Sequence, residues 1–478
     1  MTNRILTIAC AGLASIAGLA AGHAQSQTET QTAAQPLPPV IAAAVAKQAA
    51  QGKAALSESK PADPKSPESK SSESKSTESK SSESKSSESK STPESRSAAA
   101  LAQSGEPVFD EGSARRMREA IARFKDIAAK GGWTAIPADA KFALDTANPH
   151  DELLRRRLVA TGDLAASEAS GPYNAELVAG VKRYQTRNGI PATGLAGPKT
   201  LAAMNVPVEK RVRQLEASLQ RIESIGFKFG PRYVVVNIPG AFAEAVENDK
   251  VVRRYRVIVG KTEKPSPTVT SEIGNINLNP TWTVPASITK NEIAAHMRKD
   301  PGYLARMHMQ VLDSKDAVLD PAGVDWSDGK TPNVIVRQEP GEWNALGRLK
   351  IDMPNSYAVY MHDTNQRHLF TDDYRLDSHG CVRVDNVRDL AAWLLQDTPN
   401  WGRAEIDAAI ATGQVQQVKL ASKVPVAWIY LTAWISRDQT VQFRNDVYDQ
   451  DTQLIEASAE EEAFFKQARE RSGETITR

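Results

Sequence analysis

Apolar residues recur at helical spacing through the first folded stretch of the chain. From Ser113 to about Ala129, Met117, Ile121, Phe124 and Ile127 fall on one side, and Gly131-Gly132-Trp133 ends the run. Asp151–Ala160 predicts a second helix, closing at Gly162-Asp163. Asn174 to Asn188 predicts a third, with Asn174 as cap, Leu177, Val181 and Tyr184 sharing a face, and Gly189 as the stop. Pro198 opens a short helix after glycine turns at Gly194 and Gly197. Glu209 to Ile225 carries an inner stripe of Val212, Leu215, Leu219 and Ile222.

At Pro231 the period changes to that of strands. Tyr233–Ile238 and Arg254–Val259 are β-rich, on either side of a turn at Glu247-Asn248-Asp249-Lys250. Thr289-Lys290-Asn291-Glu292 has the form of a capping box opening a helix to about Lys299, before Pro301. From there to about Leu346 the chain is turn-rich and irregular, and long irregular insertions in compact domains are often lids. Ala358–Met361 predicts a short strand ending at His362, and Cys381–Val384 the next. Asn386 to about Gln396 predicts a helix with Leu390, Trp393 and Leu394 inward, and Pro425–Trp434 a core strand. A charged helical tail begins near Ser458.

The N-terminal 105 residues differ in kind. Residues 1–24 predict a secretory signal: Arg4 is the positive charge, Ile5 to Ala21 is apolar, and Gly22-His23-Ala24 supplies small residues for cleavage. Residues 25–105 are low in complexity, with Ser-Ser-Glu-Ser-Lys repeating at 71–75, 81–85 and 86–90. So few apolar residues cannot offset the entropy of ordering, which predicts a flexible polyampholyte tether. Overall charge is +1, with 24% charged residues. That does not supply the strongly basic face that nucleic acid would call for.

The candidate chemistry is concentrated. Of seven His and two Cys, His362, His368, His379 and Cys381 fall within one short window. Cys10 lies in the predicted signal, so the exported protein keeps one thiol. A lone Cys is ordinarily a small buried hydrophobe. One that follows Ser378-His379-Gly380 is also a nucleophile candidate, because thiolate attacks and an imidazole can take its proton. Gly380 lets a carbonyl approach the backbone, and amides around Gly380 and Cys381 are candidates to face an oxyanion. Such a donor is worth roughly 3–4 kcal/mol when removed. A zinc hydrolase built on His362, His379 and Cys381 is the competing chemistry, but the chain has neither a further Cys outside the signal nor a His-Glu-x-x-His helix.

The run from His362 to Ser378-His379-Gly380-Cys381-Val382-Arg383 resembles the signature of the YkuD-type L,D-transpeptidases. Tyr184-Gln185 with Gly197-Pro198-Lys199-Thr200 resembles a peptidoglycan-binding repeat. The resemblance covers about Glu106 to Asp451 and extends to Arg256–Lys261 and Asn279–Pro285, as in long Gram-negative members. It implies an α+β fold: a mostly-β YkuD-type domain with an inserted lid, preceded by a helical scaffold and a small three-helix peptidoglycan-binding-like module. The expected divisions are helical scaffold 106–170, module 171–230, catalytic domain 231–451 with the lid at about 286–346, and tail 452–478.

By the same resemblance Cys381 is the nucleophile and His362 moves the proton, its other nitrogen held by the Asp363 carbonyl. Gly380, His379 and Ser378 support the loop and the oxyanion, His368 is a loop residue, and Arg383, Tyr360 and Trp282 meet the substrate. No metal or cofactor is called for. The activity implied is formation of 3→3 cross-links between diaminopimelate residues through a Cys thioester, with release of D-Ala, in the periplasm. Carbapenems would acylate the same Cys. Peptidoglycan stem peptides are the partners implied, with other wall-synthesis enzymes as further candidates, and the membrane enters only through an uncleaved signal. A thiol hydrolase using the same Cys/His pair and a non-catalytic wall-binding protein are the alternatives.

Overall fold

The computed structural model describes residues 105–327 and 332–454. The predicted signal, the linker before Gly105 and the tail beyond Leu454 lie outside the described residues.

Among the described residues five α-helices come first: α1 (Ser113–Ala129), α2 (Asp151–Ala160), α3 (Ala175–Arg187), α4 (Pro198–Met204) and α5 (Val208–Ser224). The Asn174 carboxamide oxygen caps α3 by accepting from the Leu177 amide at 3.0 Å. The packing does not divide at residue 171. Leu154 and Leu158 of α2 share one core with Leu177, Val181 and Tyr184 of α3 and with Leu201 and Met204 of α4. α5 leaves that module and packs Val212 and Leu215 against Met117, Ile121 and Phe124 of α1. The reason is Arg155, whose guanidinium donates to the carbonyls of Glu168, Gly171 and Pro172 and to the Asn174 side chain. The turn at 171 ends a local element, and Arg155 fastens α2 across it.

The strands then follow: β1 (Arg232–Asn237), β2 (Phe242–Glu247), β3 (Lys250–Gly260), β4 (Val269–Leu278) and β5 (Trp282–Thr283). The insertion begins with α6 (Ala286–Ile288), a π-helical turn (Thr289–Ile293) and α7 (Ala294–Lys299). The expected capping box does not form. The helix starts a turn earlier, behind Pro285, and the Thr289 amide donates to the Pro285 carbonyl at 2.9 Å, so Thr289 is interior and buried.

Nor is the insertion irregular. After α8 (Tyr303–Arg306), β6 (Met309–Leu312), β7 (Val318–Leu319) and β8 (Ile335–Gln338) join β5 in a four-stranded sheet ordered β5-β8-β6-β7. Val284, Ile288, Ile293, Met297, Leu304, Val311 and Val336 give it an apolar core of its own. Its strands are two to four residues long, too short for alternation to reveal them.

The remaining elements are β9 (Leu349–Asp352), β10 (Met361–His362), β11 (Leu376–Ser378), β12 (Val382–Val384), α9 (Val387–Leu394), α10 (Arg403–Ala411), β13 (Gln416–Ile429), β14 (Ala433–Ile435) and β15 (Val441–Phe443). The expected core strand Pro425–Trp434 is therefore two strands. β13 starts nine residues earlier than Pro425, and β14 turns away to pair with β15 beneath α1 and α5. The main sheet runs β11-β3-β12-β10-β9-β4-β13-β1-β2. β3 also pairs with β2, which closes eight of these strands into a circuit with β11 alongside. Val257, Val259, Ile276, Leu278, Leu349, Ile351, Met361, Val382 and Val384 point into its core, together with Leu390 and Leu394 of α9 and Ile406 of α10.

Candidate active site

The register of the sheet builds the site. Ile258, Arg383, His362, Lys350, Asn277 and Gln417 are successive partners across β3, β12, β10, β9, β4 and β13. Their sequence neighbours Val384, Met361, Ile351, Ile276 and Val418 enter the core, so this row lies on the opposite face. A second row on that face follows two residues along each chain: Cys381, Tyr360 and Asp352. The Val382 amide donates to the Tyr360 carbonyl at 3.1 Å and extends the β10–β12 ladder to the thiol. His362 and Cys381 thus share a face as diagonal neighbours on adjoining strands, a spacing of about 7–8 Å between backbones.

Tyr360 meets both. Its ring centroid is 5.6 Å from that of His362, edge to face. Burial raises its hydroxyl pKa, as does the Cys381 sulfur beside it, while a hydrogen bond from the Trp282 side chain lowers it. Tyr360, Trp282 and Cys381 are therefore brought together, with Trp282 reaching in from β5 at the root of the insertion. Among the described residues no hydrogen bond joins the His362 ring to the sulfur directly.

His362 is buried, and its pKa is lowered to about 3. Burial is the main cause, then the positive charge of Arg383, with Lys350 adding to it. The backbone of Asp363 pulls the other way, yet Nδ1 has no partner at hydrogen-bonding geometry. The imidazole is neutral at pH 7, the form that accepts a proton. The Asp363 carboxylate is turned elsewhere: it accepts from the Arg348 amide at 3.0 Å and from Arg367 Nη2 at 2.8 and 2.9 Å. Gly347 (φ +59°) makes room for it, since a Cβ there would sit 2.6 Å from the Asp363 side chain.

Cys381 is partly exposed, but its sulfur is deep enough for burial to raise its pKa. The Tyr360 backbone and hydroxyl and the charges of Lys350 and Arg383 act against that rise. Ser378 shapes the loop: its hydroxyl donates to the Cys381 carbonyl at 2.5 Å and accepts from the Gly380 amide at 3.1 Å. The Gly380 amide is thus engaged and does not face an incoming oxyanion. The Cys381 amide makes no hydrogen bond among the described residues and is the donor left over. Gly380 adopts φ +111°, so glycine is required there by backbone conformation. Its carbonyl accepts from Ser266 Oγ at 2.8 Å, and Ser266 in turn accepts from the Gly260 amide at 2.9 Å.

His379 points away from the thiol, its Nε2 2.6 Å from Glu292 Oε1 in the π turn of the insertion. Arg383 Nη1 donates to Gln366 Oε1 at 2.8 Å, and Arg383 has no ion pair among the described residues. His368 lies exposed in a 3₁₀ turn, apart from the site. No group of three or more His, Cys, Asp or Glu side chains among the described residues is placed to hold a metal ion.

Residues 231–406 match the model of the L,D-transpeptidase catalytic domain YkuD. This segment is thus similar to a YkuD L,D-transpeptidase catalytic domain. Residues 151–204 match a second model, described as "Putative peptidoglycan binding domain", and these are the residues of the α2–α4 module. A Haemophilus influenzae protein named "Putative L,D-transpeptidase" is 33% identical over 257 residues, covering 52% of this chain and 51% of that one. The match thus spans about half the length of the curated relative. Among solved structures, an L,D-transpeptidase from Stackebrandtia nassauensis is 15% identical (TM-score 0.24; 61% of this chain, 95% of that chain). One from Mycobacterium smegmatis is 16% identical (TM-score 0.20; 42% and 58%). The main sheet extends past the matched segment, since it includes β13.

Three residues around the site carry little sequence signal: Lys350 shows only as the polar position in Leu349-Lys350-Ile351, Glu292 has the form of a helix cap, and Ser266 has no marker.

Proposed function

We propose that this protein is an exported peptidoglycan L,D-transpeptidase that acts in the periplasm. The observation that carries the reading is Cys381 and a neutral His362 on one face of the main sheet, in the segment that matches the YkuD model, with Tyr360 against both. The donor is a tetrapeptide stem ending in diaminopimelate and D-Ala. Sγ gives its proton to His362 and bonds to the diaminopimelate carbonyl carbon. The oxyanion falls to the Cys381 amide. The C–N bond to D-Ala breaks, and D-Ala leaves with the proton from His362. The side-chain amine of a second diaminopimelate then attacks the thioester and gives a proton to His362, Sγ departs and takes that proton back, and a 3→3 link remains. The insertion lies over the loop that carries the thiol and limits the entry of water, which would hydrolyse the thioester.

Incubation with purified tetrapeptide muropeptides tests this. Cross-linked dimers with free D-Ala, absent from Cys381→Ala, are the expected result. Shortened monomers alone would make the protein a hydrolase, and no product at all would overturn the enzymatic reading. Meropenem should add once to the intact protein, at Cys381.

A further inference from the structure

Lys350 is one register step from His362 and half-buried on the same face. Its Nζ is 2.7 Å from Asp352 Oδ1 and 4.6 Å from the centroid of the Tyr360 ring. Asp352 Oδ2 accepts from Asn277 Nδ2 at 2.5 Å, and Asn277 Oδ1 from Gln417 Nε2 at 3.1 Å. Four strands thus hold one flexible ammonium beside the tyrosine that touches the sulfur. A lysine on a surface sheet normally turns to water, and this one is fastened from two sides.

The charges around the thiol explain why that matters. β9 presents Lys350 and Asp352, β10 His362 with Tyr360 just before it, and β12 Arg383, with Cys381 just before it. A thiolate needs a positive neighbour, and a neutral imidazole offers none. Arg383, turned to the neutral Gln366, acts on the sulfur in the same sense as Lys350 but less strongly. The charge of Lys350 favours the ionised sulfur and disfavours the ionised imidazole together.

We propose that Lys350 supplies the larger share of the positive charge against which the Cys381 thiolate forms, with the Tyr360 ring holding it in place and Asp352 as its counter-charge. The proposal rests on Cys381 being the nucleophile. Lys350 touches no reacting atom; the sulfur's proton passes to His362, the electron pair stays on Sγ, and the ammonium acts through its field. It is a positioning residue for charge.

The test is the pH dependence of Cys381 alkylation by iodoacetamide in the full chain, followed by mass at the Cys381 peptide. Lys350→Met should raise the midpoint by about one pH unit and slow alkylation near neutrality about tenfold, and Lys350→Arg should restore it. Asp352→Asn frees the ammonium from its counter-charge and should move the midpoint the other way. The His362 imidazole, followed by NMR, should titrate higher in Lys350→Met. An unchanged midpoint in folded Lys350→Met overturns the proposal. So does Asp352→Asn shifting in the same direction as Lys350→Met, the result expected of a merely structural role. Should Lys350→Met fail to fold, Asp352→Asn decides alone. Alkylation needs no wall substrate, so its outcome is independent of whether dimers form.

Discussion

His379 and Glu292 meet at 2.6 Å, and their contact ties the insertion to the loop that carries Cys381. Both side chains keep solvent access, 28% and 46%. A solvent-accessible contact of that kind adds within about 1 kcal/mol to global stability. Its expected effect is therefore on the fit of the insertion. Glu292→Gln should leave thermal unfolding nearly unchanged while speeding amide exchange in residues 286–299, and should raise the share of hydrolysed to cross-linked product. Unchanged exchange would mean that the insertion is held by other contacts.

The thiol and the imidazole should separate in size of effect. Cys381→Ala removes the bond-forming atom and should abolish acylation by meropenem altogether. His362→Gln removes a proton carrier, a loss of about 10²–10⁴ in the acylation rate. A rate constant for adduct formation by stopped-flow or timed mass spectrometry checks both.

His362 also sets a stability profile. Its folded pKa is about 3, against 6.5 for a free imidazole. Between those values the unfolded chain binds a proton that the folded chain does not, so stability rises with pH through that window. The contribution is fully present above about pH 6.5 and is lost progressively as pH falls toward 3. Urea unfolding between pH 7.5 and 4.5 should show wild type losing stability more steeply than His362→Gln. Parallel profiles would show that the ring is not buried in the neutral form.

Ser378 joins two backbone groups on either side of Gly380. Ser378→Ala leaves a buried amide and a carbonyl without their partner, at a cost of about 1–3 kcal/mol. Freed of Ser378, the loop should also hold the thiol less well, and acylation should slow. Gly380→Ala should cost about as much through its φ alone. Denaturant midpoints and acylation rates together check the pair of variants.

What the sequence revealed follows from scale. The bounds of α1 and α2 were legible because whole turns of Met, Ile, Phe and Leu repeat at one period, and Asn174 because a capping side chain acts within its own turn. Helix α10 was not, since Ile406 and Ile410 alone mark its buried side. The sheet of the insertion was hidden by the brevity of its strands, and the outer half of β13 by its exposed Gln and Lys positions. At the site, residue types announced Cys381, His362 and the loop between Ser378 and Cys381. They did not announce Lys350 or Glu292, because each acquires its place only when separate strands or an insertion are laid beside the motif. The spent Gly380 amide was equally invisible, since it depends on where one hydroxyl turns.

The insertion's private interior changes what access to the sulfur requires. A cover that depended on the main core would have to melt before a strand of cell wall was admitted. One packed around Val311, Ile293 and Val336 has an interior of its own, so moving it as one body would cost only its rim contacts. On the proposed reading, admission of a peptide and integrity of the scaffold that aims the thiol would then be separate demands on the fold.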